Sequence, residues 1–388
     1  MPETPYYDIV IIGAGIQGSG VAQAAAASGY KTLVIEKLPQ AGLCTSSKSS
    51  KLIHGGLRYL ESGQFKLVRE CLQERKILLK NAPQLVKLIP FYIPVYSHSI
   101  RPAWLIWIGL LIYSLFSLKT FSIVKKKDQH YLDGLKLKNI KTIFKYYDAQ
   151  TDDKRLTQAV ITSAKNMGAD VLYDTDFIKS YAEESIHNVS YKSNRQYHNI
   201  KCRCLINCTG PWVDSTQDKI SPPLKLPDTE LVAGTHIIIN RPIKQGAYYI
   251  EAADKRAVFV MPWKDSQTLI GTTERTHTDD ADNLMPTENE VFYLLETYNH
   301  YFNEKLTLND ITQSFSGLRV LPVSNTASFN KSRESLIIHN SKTPALITLV
   351  GGKLTAYRAS SEEVILKIKK LLGDSKNKKH YDTKNIKL

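Results

Sequence analysis

The hydrophobic positions of this 388-residue chain follow two periods, and glycines stand where one gives way to the other. Residues 8–12 are a short β-branched run without alternation, as in a strand buried on both faces of a parallel sheet. Gly13, Gly15 and Gly18 follow at once, an alanine-rich helical stretch runs to about Ser28, and Gly29 is placed to stop it. A second apolar strand, residues 32–35, ends on Glu36. Residues 65–81 have helical spacing through Phe65, Val68, Leu72, Ile77 and Leu79, after which Pro90 and Pro94 are expected to interrupt any element. Residues 152–167 read as an amphipathic helix with an acidic start and Gly168 at its end, and a strand begins at residue 169. A weakly patterned hairpin region, 177–203, precedes an apolar strand that stops on Thr209 and Gly210.

Residues 230–240, 247–250, 257–262 and 268–273 are four short β-rich runs separated by turns, which predicts an antiparallel sheet inserted as a second domain. Residues 286–302 are helical, 309–315 pass from helix to strand, and Ser316 to Arg319 end that segment. An apolar strand at 345–350 then meets Gly351 and Gly352 and a helix to about residue 372, repeating the opening order of strand, glycines and helix. The basic, polar tail, 376–388, is expected to be disordered. The fold class is therefore α/β, with a Rossmann-like domain and an inserted antiparallel sheet.

Strand, three glycines, helix, strand and acid, in that order, are the arrangement that binds a dinucleotide. One glycine makes the tight turn, one lets a pyrophosphate approach the backbone, and one lets helix and strand pack closely. The helix N-terminus offers free N–H groups to the phosphates, and Glu36 can accept from both ribose hydroxyls. This element alone leaves FAD and NAD open.

Charge narrows the partners. Lys and Arg number 51 against 37 acids, a net charge of +14, which favours an anionic partner such as a phosphorylated substrate or an acidic lipid. The lysines are scattered and no nucleic-acid-binding motif is present, so no nucleic acid is expected. Five unevenly spaced cysteines argue against a disulfide framework. Cys202, Cys204 and Cys208 alternate along a strand and read as buried thiols, so no metal is expected. The start, MPETPYYD, has no basic region followed by an apolar core, which predicts a cytoplasmic location. Residues 103–118 hold sixteen residues without a charge, short of the ~20 that span a bilayer. They read as a core helix with one membrane-facing edge, or as a helix dipping into one leaflet with its tryptophans and flanking lysines at the headgroups.

Residues 45–61, TSSKSSKLIHGGLRYLE, crowd hydroxyls, paired glycines and a His/Arg/Tyr cluster into a stretch with no helical or strand period. Hydroxyls and free N–H groups suit a ring system and a pyrophosphate, while Arg58 and Tyr59 suit a carboxylate or phosphate. Lys353, just after the second glycine pair, is well placed to stabilise an anion.

Together with NCTGPWVD, AGTHIII, VMPWKDSQTLIGTTE, SGLR and GGKLTAYR, these stretches closely resemble the membrane-associated, FAD-dependent glycerol-3-phosphate dehydrogenases of the glycine/D-amino-acid oxidase superfamily, over residues 7 to about 372. The resemblance implies FAD as tight cofactor, and quinone, or oxygen in the oxidase branch, as final acceptor. It divides the chain into an FAD-binding domain of residues 1–80, 147–225 and 332–388 and a substrate or cap domain of 81–146 and 226–331. By the same resemblance FAD meets Gly13, Gly15, Ile16, Gln17 and Gly18, then Glu36 and Lys37, then Thr45, Ser46, Ser47, Lys51, Leu52, His54 and Gly56. Its remaining contacts are Phe177, Thr209, Gly210, Trp212, Gly351, Gly352, Lys353, Leu354 and Thr355. Arg58, Tyr59, Arg319, Arg333 and Lys353 match the substrate pocket, with His236 beside the reacting carbon.

The chain departs from that pattern in places. Arg333 sits in SRES where the family has TRDY, GTTE replaces GTTD, and GLRVL replaces GVRPL. The helical C-terminal domain common in the family is expected to be missing. The activity implied is oxidation of sn-glycerol 3-phosphate to dihydroxyacetone phosphate, with hydride passing from C2 to flavin N5. His236 is the base and His54 second to it, the arginines and Tyr59 grip the phosphate, and Lys353 stabilises the reduced ring. Other readings stay open: an FAD enzyme acting on another small anionic hydroxy or amino acid, or an inactive flavin-binding scaffold. A peripheral contact with anionic membrane on the inner face of the cell membrane and an oligomeric state are compatible with the sequence.

Overall fold

In a computed structural model the described residues are 4–61, 63–117, 119–323, 335–340, 344–375 and 381–388. Strand Tyr6–Ile12 runs parallel to Thr32–Ile35 on one side and to the second half of Gln196–Asn207 on the other. Asp170–Leu172 and Ala345–Val350 extend this parallel core at either edge. The first half of Gln196–Asn207 instead pairs antiparallel with Ile186–Ser193, which pairs with Thr175–Glu183, so the hairpin region is a three-stranded meander joined to the sheet. The central strands are apolar on both faces because helices cover one and the meander region the other.

Helix Ile16–Ala27 buries eleven of its twelve residues, and its alanines let it lie close to the sheet and to helices Asp153–Asn166 and Tyr357–Leu372. Gln23 ties it to the first of these by donating to Ser163 Oγ at 2.9 Å. Asp152 caps Asp153–Asn166 by accepting from the Arg155 amide. Cys202, Cys204 and Cys208 are buried in or beside strand Gln196–Asn207, where burial pushes their thiols up.

The second sheet is mainly antiparallel. Strand Thr229–Ile239 lies between Gln267–Gly271 and Ile311–Pro322, and the sheet continues through Ala257–Trp263, Ala247–Glu251, Val86–Tyr96 and Ile140–Thr151 to Leu52–Ile53. One junction, Ala247–Glu251 with Val86–Tyr96, is parallel. Pro90 and Pro94 do not interrupt the chain: both lie inside Val86–Tyr96, whose ladder with Ile140–Thr151 runs through them. Prolines four residues apart remove donors from the same side of a strand, and on its other side this strand pairs only at Phe91 and Tyr92.

Two further expectations are corrected. Helix Ala103–Ser117 is not a core helix: only Leu110 and Tyr113 are buried, while Trp104 and Leu115 are 64% and 68% exposed and Trp107, Ile108 and Leu111 face outward with them. Tyr113 anchors it, accepting from the Gly55 amide at 3.0 Å and donating to Asp148 at 2.6 Å. The end of the chain is ordered over residues 381–388. The Leu388 amide donates to the Asn81 carbonyl at 2.8 Å, and the Arg358 guanidinium donates to Thr383 at 2.8 Å. Burial of the Arg358–Glu74 pair beneath it explains the order that its polar composition hid.

His187, buried in the meander, donates from Nε2 to the Ala345 carbonyl at 3.2 Å, and burial pushes its pKa down to about 4. Below its ordinary value of 6.5 the unfolded chain takes up a proton that the folded chain refuses. Stability measured by denaturant titration is therefore expected to be level above that value and to fall by up to roughly 3 kcal/mol from this group as pH drops toward 4. His187→Gln should flatten that slope.

Candidate active site

The end of strand Tyr6–Ile12 turns at Gly13, whose φ of +94° suits a residue without Cβ. A Cβ on Gly18 would lie 1.9 Å from the Gly13 carbonyl oxygen, so turn and helix touch backbone to backbone. Gly15 stands at the helix N-terminus with no capping side chain, and the Ile16 amide donates to Ser46 Oγ at 2.8 Å across the cleft mouth. The Glu36 carboxylate accepts from the Ala14 and Leu38 amides at 2.6 and 3.0 Å, and burial pushes its pKa up.

A cavity of about 300 Å³ opens over this turn. Its walls include Gly13, Gly15, Ile16, Gln17, Glu36, Lys37, Thr45, Ser46 and Phe177, then Thr209, Gly210, Trp212, Gly351 and Gly352. Cys44 also lines it. Lys37 lies 4.0 Å over the Trp212 ring and bridges to Asp282 at 3.2 Å. Ser46, Arg319 and Gly352 also line a second cavity, of about 260 Å³, at the seam between the two sheets. Leu52, His54, Gly56, Arg58, Tyr59, His236, Lys353, Leu354 and Thr355 meet there.

Gly18, Ser47 and Lys51, all expected from sequence at the cofactor, line neither cavity. Ser47 donates to the Leu43 and Cys44 carbonyls. Lys51 is buried on Asp153 at 2.6 Å. Arg333 lies outside the described residues. The second cavity also holds residues that sequence reasoning missed: Lys48, Ser50, Asp148, Tyr249, Arg256 and Glu274. Arg256 donates to the Glu274 carbonyl at 2.8 Å and to Asp254 at 2.7 Å. Its only signal in the sequence is a cation at the mouth of an apolar strand.

The wall is cationic. Lys48, Arg58, Arg256, Arg319 and Lys353 line it against two acids, and both acids are engaged, Asp148 with Arg75 at 2.7 Å and Glu274 with Arg319 at 2.8 Å. Burial, followed by the charge of Lys51, lowers the Lys48 pKa. Lys353 Nζ is buried without a hydrogen-bond partner among the described residues, 4.1 Å over the Tyr59 ring. His236 is 1% exposed and stacks on Phe315, its cross-strand partner, with centroids 5.1 Å apart. Burial, then the charges of Arg319 and Lys51, push its pKa down to about 3, so the imidazole is neutral near pH 7.

Residues 8–358 match the family model described as FAD dependent oxidoreductase. The chain is 37% identical over 372 residues to the aerobic glycerol-3-phosphate dehydrogenase of Escherichia coli, covering 93% of this chain and 73% of that protein. It is 35% identical over 379 residues to a glycerol-3-phosphate dehydrogenase of Pseudomonas aeruginosa, covering 95% and 72%. Among solved structures, the glycerol-3-phosphate dehydrogenase of Bacillus halodurans complexed with FAD superposes with a TM-score of 0.74 at 25% identity. The match covers 94% of this chain and 64% of that one.

The residues present fit FAD. Gly13 and Gly18 leave no room for side chains, Gly15 brings no capping side chain to the helix N-terminus, and Trp212 Nε1 and Gln17 Oε1 are buried polar atoms at the first cavity without partners among the described residues. Gly18→Ala tests that fit. A Cβ 1.9 Å from a backbone oxygen strains the turn with or without a ligand, so the purified variant is expected to lose most of its flavin and to melt at a lower temperature than the wild type.

Proposed function

We propose that this chain, which belongs to the FAD-dependent oxidoreductase family, oxidises sn-glycerol 3-phosphate at C2 to dihydroxyacetone phosphate and delivers the electrons to a quinone. The observation that carries the reading is the excess of cations around a cavity whose one buried histidine is neutral. The names of the relatives point to the same substrate.

FAD, when bound, supplies the acceptor for the two electrons and hydrogen leaving C2. The protein's part is to hold the substrate and manage its proton. A phosphate dianion entering the seam is drawn to Arg58, Arg319 and Arg256, with Tyr59 as a hydroxyl donor and Arg333 as a further candidate cation. Several guanidinium groups suit a phosphate better than a lone carboxylate, which one forked Arg satisfies. Arg319 is already paired with Glu274 at 2.8 Å, so the acid tempers how strongly the wall pulls. His236 accepts the hydroxyl proton of C2, and His54, in the same wall, is the second candidate. Lys353 is a desolvated cation available to negative charge arriving with the ligands. In this reading the FAD-binding domain is residues 1–80, 147–225 and 332–388, and residues 81–146 and 226–331 form the substrate side.

The exposed apolar face of helix Ala103–Ser117 supports peripheral docking on an anionic membrane, where a quinone is reached. No helix among the described residues is long and apolar enough to cross one.

Under argon, glycerol 3-phosphate is expected to bleach the flavin, while a panel of small hydroxy and amino acids leaves it yellow. Bleaching by a carboxylate instead would replace the substrate assignment. Each charge-assisted contact contributes about 1.5–3 kcal/mol, so Arg319→Ala is expected to raise KM by roughly ten- to a hundredfold. An unchanged KM would remove Arg319 from the phosphate site. The protein is expected to co-sediment with anionic vesicles at low salt, and Trp104→Ser with Leu115→Ser should abolish it.

A further inference from the structure

We propose that Ser50 holds His236 in the tautomer with its proton on Nε2, leaving Nδ1 as the proton-accepting atom, and that Asp153 fixes Ser50 in place. This rests on the reading of His236 as the base. Ser50 and Asp153 act through His236 as positioning residues.

The imidazole is clamped. One face lies on Phe315 at an interplanar angle of 15°, and its Cδ2–Nε2 edge lies on Gly271, where a Cβ would stand 2.1 Å from Cδ2 and 2.8 Å from Nε2. Nε2 lies 2.9 Å from Ser50 Oγ, while Nδ1 is buried with no partner among the described residues. A neutral imidazole carries one N–H and one lone pair. A buried N–H without an acceptor is disfavoured more than a buried lone pair without a donor. The proton therefore belongs on Nε2, where Ser50 Oγ accepts it, and the lone pair belongs on Nδ1. The charged groups bearing on the ring are Arg319, paired with Glu274, and Lys51, paired with Asp153. Their positive charge opposes a second proton until an anionic ligand offsets it.

Ser50 is held from both sides. Ser49 donates its amide and hydroxyl to Asp153 Oδ2 at 3.0 and 2.7 Å, and Lys51 donates to Oδ1 at 2.6 Å. The Lys51 amide closes the loop on Ser49 Oγ at 3.1 Å. Asp153 is fully buried at the start of helix Asp153–Asn166, so a rigid element sets the hydroxyl that sets the tautomer. In the reaction the O–H bond of the substrate breaks, its electron pair forms the C2 carbonyl as hydride leaves C2 for the flavin, and the proton joins Nδ1 once substrate binding uncovers that buried atom. The Nε2–H stays on Ser50 throughout.

The test is ¹⁵N NMR of the FAD-loaded protein labelled at histidine, with His236→Asn identifying the signals of residue 236. The wild type is expected to show a pyrrole-type Nε2 and a pyridine-type Nδ1. Ser50→Ala should move both toward the tautomer average, Ser50→Thr should restore them, and Ser49→Ala, which leaves no buried charge unpaired, should shift them partway. A protonated Nδ1 in the wild type, or signals unmoved by Ser50→Ala, overturns the proposal. Ser50→Ala should also slow anaerobic flavin reduction roughly tenfold or more without changing substrate affinity, and have no added effect in His236→Asn. Additive losses would make Ser50 merely structural. If no polyol phosphate bleaches the wild type, the substrate reading falls, while the imidazole signals still decide this one.

Discussion

The contact between the Gly18 backbone and the Gly13 carbonyl sets the position of almost everything that matters in this molecule. It brings helix Ile16–Ala27 down onto the parallel sheet and aims its N-terminus at the first cavity. Close packing of this kind has no slack, since interiors transmit rather than absorb small displacements. The alanines behind it extend the same constraint to the helices on either side.

Polar bonds take over at the seam between the sheets. There the chain keeps a cluster of cations close together, which is costly unless each has company. Glu274, Asp153 and Asp148 each engage a neighbouring cation, and the rings of Tyr59 and Phe315 shelter others. The result is a wall that tolerates its own charge yet retains an appetite for an anion. A neutral histidine survives in that setting because burial disfavours its charged form, and a second proton would also meet Arg319 and Lys51.

Much of this was legible in the sequence, and the reason differs from place to place. Strands Thr32–Ile35 and Ala345–Val350 and helix Phe65–Asn81 follow directly from periodicity, because burial on one or two faces imposes it. Gly13, Gly18 and Glu36 were legible because a fixed spacing serves a fixed geometry. Arg256 and Ser50 were not, since nothing local distinguishes a cation or hydroxyl that faces a cavity from one that faces water. Asp153 looked like an ordinary helix-dipole residue until its partners from residues 49 and 51 were in view. Pro90 and Pro94 misled because the rule against proline holds only on the side of a strand that is paired. For helix Ala103–Ser117, composition alone could not tell an inward face from an outward one.

The cysteines carry a practical consequence. Four of the five are buried, and only Cys44 is partly accessible, in the lining of the first cavity. Burial also raises its thiol, so alkylation of the folded protein should be slow but confined to one position. A maleimide dye would then serve as an occupancy gauge for the cleft, blocked when a dinucleotide fills it and admitted when it leaves, with no need to follow colour or turnover.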